Sequence, residues 1–184
     1  PPHPSGTPGT PTRPPPTPPG DLVNGRYSTR LGFHLRDADV DWCTADIGGV
    51  TGQTYLGYGP RANGATVVMD EGAPNQPGPD RFWSIIAKYG VTIFYTAPTA
   101  IRPLTAAAEA DERVHPARTT LSSLRILRSV GEPINPEASS WSSKHVAGEP
   151  CPHIDSFWRP ESAAHITSRL SAALPVVPDS LRRP

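Results

Sequence analysis

The chain has 184 residues, a formal net charge of zero from 17 basic and 17 acidic side chains, and 36% hydrophobic residues. That length supports one domain with its own core, and the balanced charge argues against nucleic acid or an anionic membrane as a partner. No apolar run approaches the ~18 residues needed to span a bilayer, and no basic-then-apolar leader opens the chain. The basic set is almost all arginine, with only Lys88 and Lys144 as lysines. Cys43 and Cys151 stand far apart without zinc-ligand spacing, which reads as two reduced thiols of a cytoplasmic protein, a disulfide being the alternative. The first residue is proline rather than methionine, which fits a piece of a longer chain or a processed product.

Ten of the first twenty residues are proline. Proline removes backbone donors and fixes φ, so residues 1–20 are expected to form neither helix nor central strand, and by themselves they read as a polyproline-like linker. Within them "SGTPGTPTRPPPTPPG" (5–20) poses a choice between a tail and a phosphate loop without its lysine. From about Val40 the pattern changes. "GATVVM" (64–69) and "GVTIFY" (90–95) are short β-branched and aromatic runs between turn residues, and "SLRILRSV" (123–130) alternates apolar with polar residues; all three predict strands. "PHIDSF" (152–157) predicts a fourth.

Helical patterns lie between them. "DRFWSIIAKYG" sets Phe82, Ile85, Ile86 and Tyr89 on one face, starts after Asp80 and stops at Gly90. "TAIRPLTAAAEADE" is alanine-rich, with Pro103 expected to kink it or delay its start. "INPEASSWSSKHV" has Asn135 as N-cap, Pro136 in the first turn and Glu137 beside it. Strand and helix alternate from about 64 to 157, which predicts an α/β fold with a mostly parallel sheet and flanking helices. Ligands of such sheets bind at loops leaving the carboxyl ends of strands. "TAPT", "GEP" and "FWRPE" follow the second, third and fourth of these strands and are expected to share one rim.

Three strings carry more than a fold class: "YTAPTAIR" (95–102), "LRILRSVGEPINPEA" (124–138) and "DWCTADIGGVTGQTYLGYGPRANGATVVMDEGAPNQPGPDRFW" (41–83). Through them the chain resembles the AMP-forming acetate–CoA ligases, the acetyl-CoA synthetases of the adenylate-forming superfamily, from about residue 5 to 175. The resemblance covers only the middle of a longer enzyme, with the family's N-terminal part and small C-terminal domain outside it. It implies a partial N-terminal AMP-binding domain over 21–175, preceded by a Pro-rich segment at 1–20 and followed by a tail at 176–184. It further implies an enzyme that converts acetate and ATP to acetyl-AMP and pyrophosphate, then transfers the acetyl group to CoA. ATP, magnesium and CoA are its expected cofactors and substrates.

Residue by residue, the resemblance places adenine against Gly131, Glu132 and Pro133. Asp155, Ser156, Phe157, Trp158, Arg159 and Pro160 match a segment that contacts AMP, and Glu161 matches a magnesium ligand. Trp158, with Thr51 and Val130, matches the acyl pocket, where a bulky indole limits the chain to acetate size. Thr51 and Asn75 match positions that contact CoA. Ser5, Gly6, Thr7, Gly9 and Pro11 line up with the family's phosphate loop. The residues also allow plainer readings: a strand-to-helix turn at 131–133, a packing tryptophan, a surface glutamate, and caps or turns at Thr51 and Asn75.

The phosphate positions depart from the family. Pro8 stands where threonine is expected, Thr12 replaces the loop lysine, and Arg13 replaces a glycine. Those changes remove a backbone donor, a hydroxyl and an ammonium from a loop built to hold polyphosphate. Hydrogen bonds to charged groups contribute roughly 1.5–3 kcal/mol each. In the second motif Pro160 replaces a threonine, Arg159 a glutamine, and Ala163 and Ala164 glycines; Gly49 and Gln53 depart from a usual Trp and His. The catalytic lysine of the family belongs to the C-terminal domain, so no catalytic residue is assigned, and this chain by itself is expected to be inactive. Two other readings stand beside the ligase segment: a non-catalytic remnant that binds adenine nucleotide weakly, and an interaction module built on "RPPPTPP" (13–19), an R-x-x-P-x-x-P pattern.

Overall fold

The structure, a computed structural model, describes residues 18–148 and 151–169, without the side chains of Pro18 and Glu161. The first element corrects an expectation. Helix α1 (Pro18–Gly32) takes in the last three residues of the Pro-rich stretch. Proline is tolerated in a first turn because the N–H it lacks has no intrahelical acceptor there.

β1 (Val40–Cys43) follows, a strand ahead of the expected series. The chain then winds through α2 (Val50–Gly52), a π-helical stretch (Gln53–Tyr58) and α3 (Gly59–Ala62), a helical run also absent from the expectation. β2 (Thr66–Val67) is only two residues of the expected 64–69 run. α4 (Arg81–Tyr89) ends at Gly90 in the left-handed conformation, as the sequence predicts. β3 (Ile93–Thr96) leads directly into α5 (Pro98–Ala110), which contains Pro103 without a delayed start. β4 (Ile126–Ser129), α6 (Pro136–Ser142) with a further π-helical turn (Ser143–Ala147), β5 (His153–Phe157) and β6 (Thr167–Ser168) complete the series. Asn135 holds the N-cap position of α6, but its amide donates to Glu137 Oε2 at 2.7 Å instead of capping the backbone.

The strands form one six-stranded sheet in the order β2-β1-β3-β4-β5-β6. All pairings from β2 to β5 are parallel, and β6 closes the edge antiparallel to β5. The expected mostly parallel α/β sheet with flanking helices is therefore what the chain forms. Helices cover both faces. On one, α4, α5 and α6 enclose Trp42, Phe82, Trp83, Ile86, Phe94 and Leu127. On the other, α1 and the 50–62 run enclose Phe33, Tyr55, Ile93, Tyr95, Ile126 and Ile154. Gly59 permits the close approach of α1: a Cβ on it would overlap Thr29 Oγ1 and lie 2.9 Å from the Gly25 carbonyl.

Two-sided cover explains why β4 is buried at every position, although its sequence alternates. Arg128 is fully buried within it, its guanidinium 4.6 Å from the Phe33 ring and 5.8 Å from the Tyr95 ring. It donates to the Gly32 carbonyl and to the Ser168 hydroxyl. Cys43 and Cys151 are both free thiols. Among the described residues no helix is long and apolar enough to cross a membrane.

Candidate functional site

Because β3, β4 and β5 run parallel, their carboxyl ends reach the same edge of the sheet. A cavity of about 310 Å³ opens there, at the lower end of the range typical of small-molecule sites. Val130, Gly131, Glu132 and Pro133 supply one wall from the end of β4. Asp155, Ser156, Phe157, Trp158, Arg159 and Pro160 supply the opposite wall from the end of β5, and Val50 with Thr51 supplies a third side from the start of α2. The third expected loop does not reach it. Thr96 turns inward to share a hydrogen bond with Thr44 at 2.7 Å, and Pro98 already begins α5. Asn75 lies exposed in the loop between β2 and α4, away from the cavity lining.

Each wall has a local cause. Gly131 has φ +101°, a conformation that side chains other than glycine's rarely adopt, and it lets the chain turn sharply off β4. Glu132 is then held by Arg102 of α5 at 2.8 Å. Across the cavity, Pro160–Ser162 forms a 3-10 turn. Ser162 Oγ fastens it, accepting from the Arg159 N–H at 3.2 Å and donating toward the Arg159 and Ala164 carbonyls at 2.8 Å each. Trp158 packs edge-on against buried Tyr55, with ring centroids 5.3 Å apart.

Below the cavity a polar network replaces packing. Asp155 Oδ1 accepts from Ser129 Oγ at 2.8 Å and from the Ser156 N–H at 3.1 Å. Ser156 Oγ donates to the Ser129 carbonyl at 2.9 Å. The Tyr95 hydroxyl lies 2.9 Å from Ser156 Oγ and 3.0 Å from His165 Nε2. Burial raises the Asp155 pKa, an effect opposed by its hydrogen bonds to Ser129, Ser156 and Ile134. Burial also lowers His153 to about 4 and, with the Arg128 charge, drives His165 well below the usual imidazole range. Both imidazoles are neutral at neutral pH.

Of the residues expected from sequence, Gly131–Pro133, Asp155–Pro160, Thr51 and Val130 meet at this cavity. Ser5, Gly6, Thr7, Gly9 and the "RPPPTPP" string through Thr17 lie outside the described residues, as does the Glu161 side chain. Val50 lines the cavity, and Ser129 and His153 stand behind Asp155, though none of the three was expected there. Period-two geometry could have found His153, since residues 153 and 155 of a strand share a face.

A mostly parallel α/β sheet with a cavity at the carboxyl ends of adjacent central strands defines a ligand-binding α/β protein. The chain belongs to the AMP-binding enzymes: that family's model matches residues 4–182. It is similar to proteins named acetyl-coenzyme A synthetase from Ralstonia nicotianae, 53% identical over 165 residues, and Cupriavidus taiwanensis and Herminiimonas arsenicoxydans, each 52% identical over 165 residues. Each match takes in 90% of this chain and 25% of the relative, so the chain spans about a quarter of their length.

Proposed function

We propose that the chain is a segment of an AMP-forming acetate–CoA ligase, and that the cavity is its adenylate site. The observation that carries this reading is that the turn at Gly131–Pro133, the strand end at Asp155–Pro160 and the helix start at Thr51 meet around one cavity. Adenine lies along the 131–133 turn, where exposed backbone groups can meet the base edge. The sugar and α-phosphate lie along Asp155–Pro160. The acyl group points to Thr51, Val130 and Trp158, with CoA approaching past Thr51 and Asn75. The names of the relatives support acetate as the acyl group.

Among the described residues no cluster of three or more His, Cys, Asp or Glu side chains could hold a metal ion by itself. Magnesium in a nucleotide site is held largely by phosphate and water with one or two carboxylates. Glu161 is the carboxylate proposed for it, and the ion would neutralise polyphosphate charge there.

The second reading, a non-catalytic adenine-nucleotide binder, is favoured by Pro160. It opens the 3-10 turn with no N–H or hydroxyl to offer an α-phosphate. Together with Pro8 and Thr12, it makes phosphate handling the weak part of the site while the adenine and acyl walls stand.

Tryptophan fluorescence tests the site directly. The purified chain is titrated with a non-hydrolysable acetyl-AMP mimic. Saturable quenching that is lost in Trp158→Ala is the expected result. No change in a cooperatively folded chain would overturn the assignment of the cavity. Acetate-dependent ATP–pyrophosphate exchange then separates the ligase from the nucleotide binder.

A further inference from the structure

The register of β4 against β5 pairs Leu127 with His153 and Ser129 with Asp155. Side chains two apart on a strand share a face, so His153, Ser129 and Asp155 converge on the same side of the sheet. His153 is buried and its Nε2 lies 3.2 Å from Ser129 Oγ, which lies 2.8 Å from Asp155 Oδ1. Asp155 lines the cavity; His153 does not.

We propose that His153 is a positioning residue for the nucleotide site, aiming the Asp155 carboxylate into the cavity through the Ser129 hydroxyl. The proposal rests on the reading of the cavity as a nucleotide site and adds a residue to its machinery. The argument is one of counting protons. A serine hydroxyl has one. When Ser129 donates it to Asp155, its oxygen can only accept from His153, so Nε2 must carry the imidazole proton. A neutral imidazole has a single N–H; with it on Nε2, Nδ1 is left as an acceptor facing Ser139 Oγ at 3.4 Å and forgoes the hydrogen bond to the Ser139 backbone, the partner that competes with Ser129 for the ring proton. In the opposite tautomer Nε2 would draw the Ser129 proton to itself, and Asp155 would face a lone pair. The Ser156 hydroxyl cannot substitute, because it donates to the Ser129 carbonyl.

Three substitutions separate positioning from packing. His153→Gln places an amide N–H near the Nε2 position, His153→Asn places one near Nδ1, and His153→Leu fills the space with no donor. Binding of AMP to the purified chain is measured by calorimetry, with thermal unfolding in parallel. The expected outcome is affinity within about threefold of wild type for Gln and about tenfold weaker for Asn and Leu, the scale of one hydrogen bond to a charged group. Thermal unfolding is expected to show the Leu variant fully folded at the temperature of the titration, so that its loss of binding is not unfolding. A Leu variant that binds AMP like wild type, or a Gln variant as weak as Asn, overturns the proposal.

The imidazole ¹⁵N spectrum of the wild-type chain tests the same claim without ligand: Nε2–H is expected at neutral pH, and Nδ1–H overturns it. Should the wild type bind no AMP, the nucleotide reading falls. The positioning claim is then decided by the ring spectrum and by the Asp155 ¹³Cγ resonance. That resonance is expected to move in His153→Asn and return in His153→Gln; an unmoved resonance overturns the claim.

Discussion

The Trp158 indole meets the Tyr55 ring edge to face, with centroids 5.3 Å apart and planes at 79°. Tyr55 is fully buried, and its hydroxyl is held 3.0 Å from Ser28 Oγ while accepting from the His165 N–H at 2.8 Å. The tryptophan thus rests on a wall that is itself tied into the core. An indole free to swing would define no volume; one backed this way does.

From that contact follows a prediction about acyl length. Trp158→Ala should open the cavity toward Tyr55 and shift preference from acetyl-AMP toward butyryl-AMP analogues. Each added methylene in a fitted apolar pocket contributes ~1–3 kcal/mol, so the preference should change by at least tenfold. Competition between the two analogues for the same chain measures it. An unchanged ratio would remove Trp158 from the acyl wall.

Gly131 makes a second prediction. Its φ of +101° strains any residue with a Cβ, although a Cβ there would touch nothing within 4 Å. Gly131→Ala should cost about 1–3 kcal/mol in urea unfolding and weaken AMP binding. Gly64 provides the control: it too has a positive φ, +72°, with open space around it, and it lies outside the cavity lining. Gly64→Ala should lower stability and leave AMP affinity unchanged. Equal effects of the two substitutions on binding would mean that the 131 turn has no special part in the site.

Parts of this architecture were legible in the sequence for physical reasons, and the gaps have physical reasons too. α4 was readable because Phe82, Ile85 and Ile86 follow helical spacing and Gly90 stops them. β3 was readable because its apolar run is bounded by turn residues, and β4 because apolar and polar residues alternate along it. β1 was not, since a four-residue strand containing Asp41 shows no apolar run. The 50–62 helical run was hidden by Gly52, Gly57, Gly59 and Pro60, which lower helix propensity, although Gly59 is what lets α1 pack close. Pro18 and Pro19 disguised the start of α1 because proline marks both a linker and a first helical turn. At the site, the motif strings picked out both long walls of the cavity. They could not place Thr96, whose inward bond to Thr44 takes the expected third loop out of the lining. Nor could they show that a histidine two residues before Asp155 reaches it through a neighbouring strand.

Asp41 carries a third prediction. It is fully buried, and neither carboxylate oxygen has a hydrogen-bond partner among the described residues. Burial raises its pKa well above the usual carboxylate value, against the attraction of Arg128. A raised carboxyl pKa means that the folded state holds the proton more tightly than the unfolded state. Its contribution to stability is complete below the unfolded pKa and is lost as pH rises through the folded one. Asp41→Asn should remove that part of the pH dependence. At alkaline pH the variant should exceed wild type by on the order of 1–3 kcal/mol, the scale of an uncompensated buried polar group. Urea midpoints at several pH values measure it. A variant less stable than wild type at alkaline pH would show that the carboxylate is better accommodated than its burial implies.

His153 gives a slope of the opposite sign. Burial lowers its pKa to about 4, so the folded chain resists the proton that the unfolded chain accepts near 6.5. Stability contributed by the neutral imidazole is therefore complete above the unfolded value and is lost as pH falls from there toward 4. The span of about 2.5 units corresponds to ~3 kcal/mol. His165, lowered in the same direction, adds to the slope, whereas Asp41 and Asp155, both raised, oppose it at the acidic end. The net curve of the wild type mixes all four, and the difference between wild type and His153→Gln isolates one. Gln cannot titrate but keeps a donor toward Ser129, so the variant should match wild type least well at pH 7 and overtake it progressively toward pH 4. Chemical denaturation at pH 7, 5.5 and 4.5 provides the comparison. Parallel curves would mean that the imidazole titrates in the folded chain as it does in the unfolded one, and that burial does not hold His153 neutral beside Ser129.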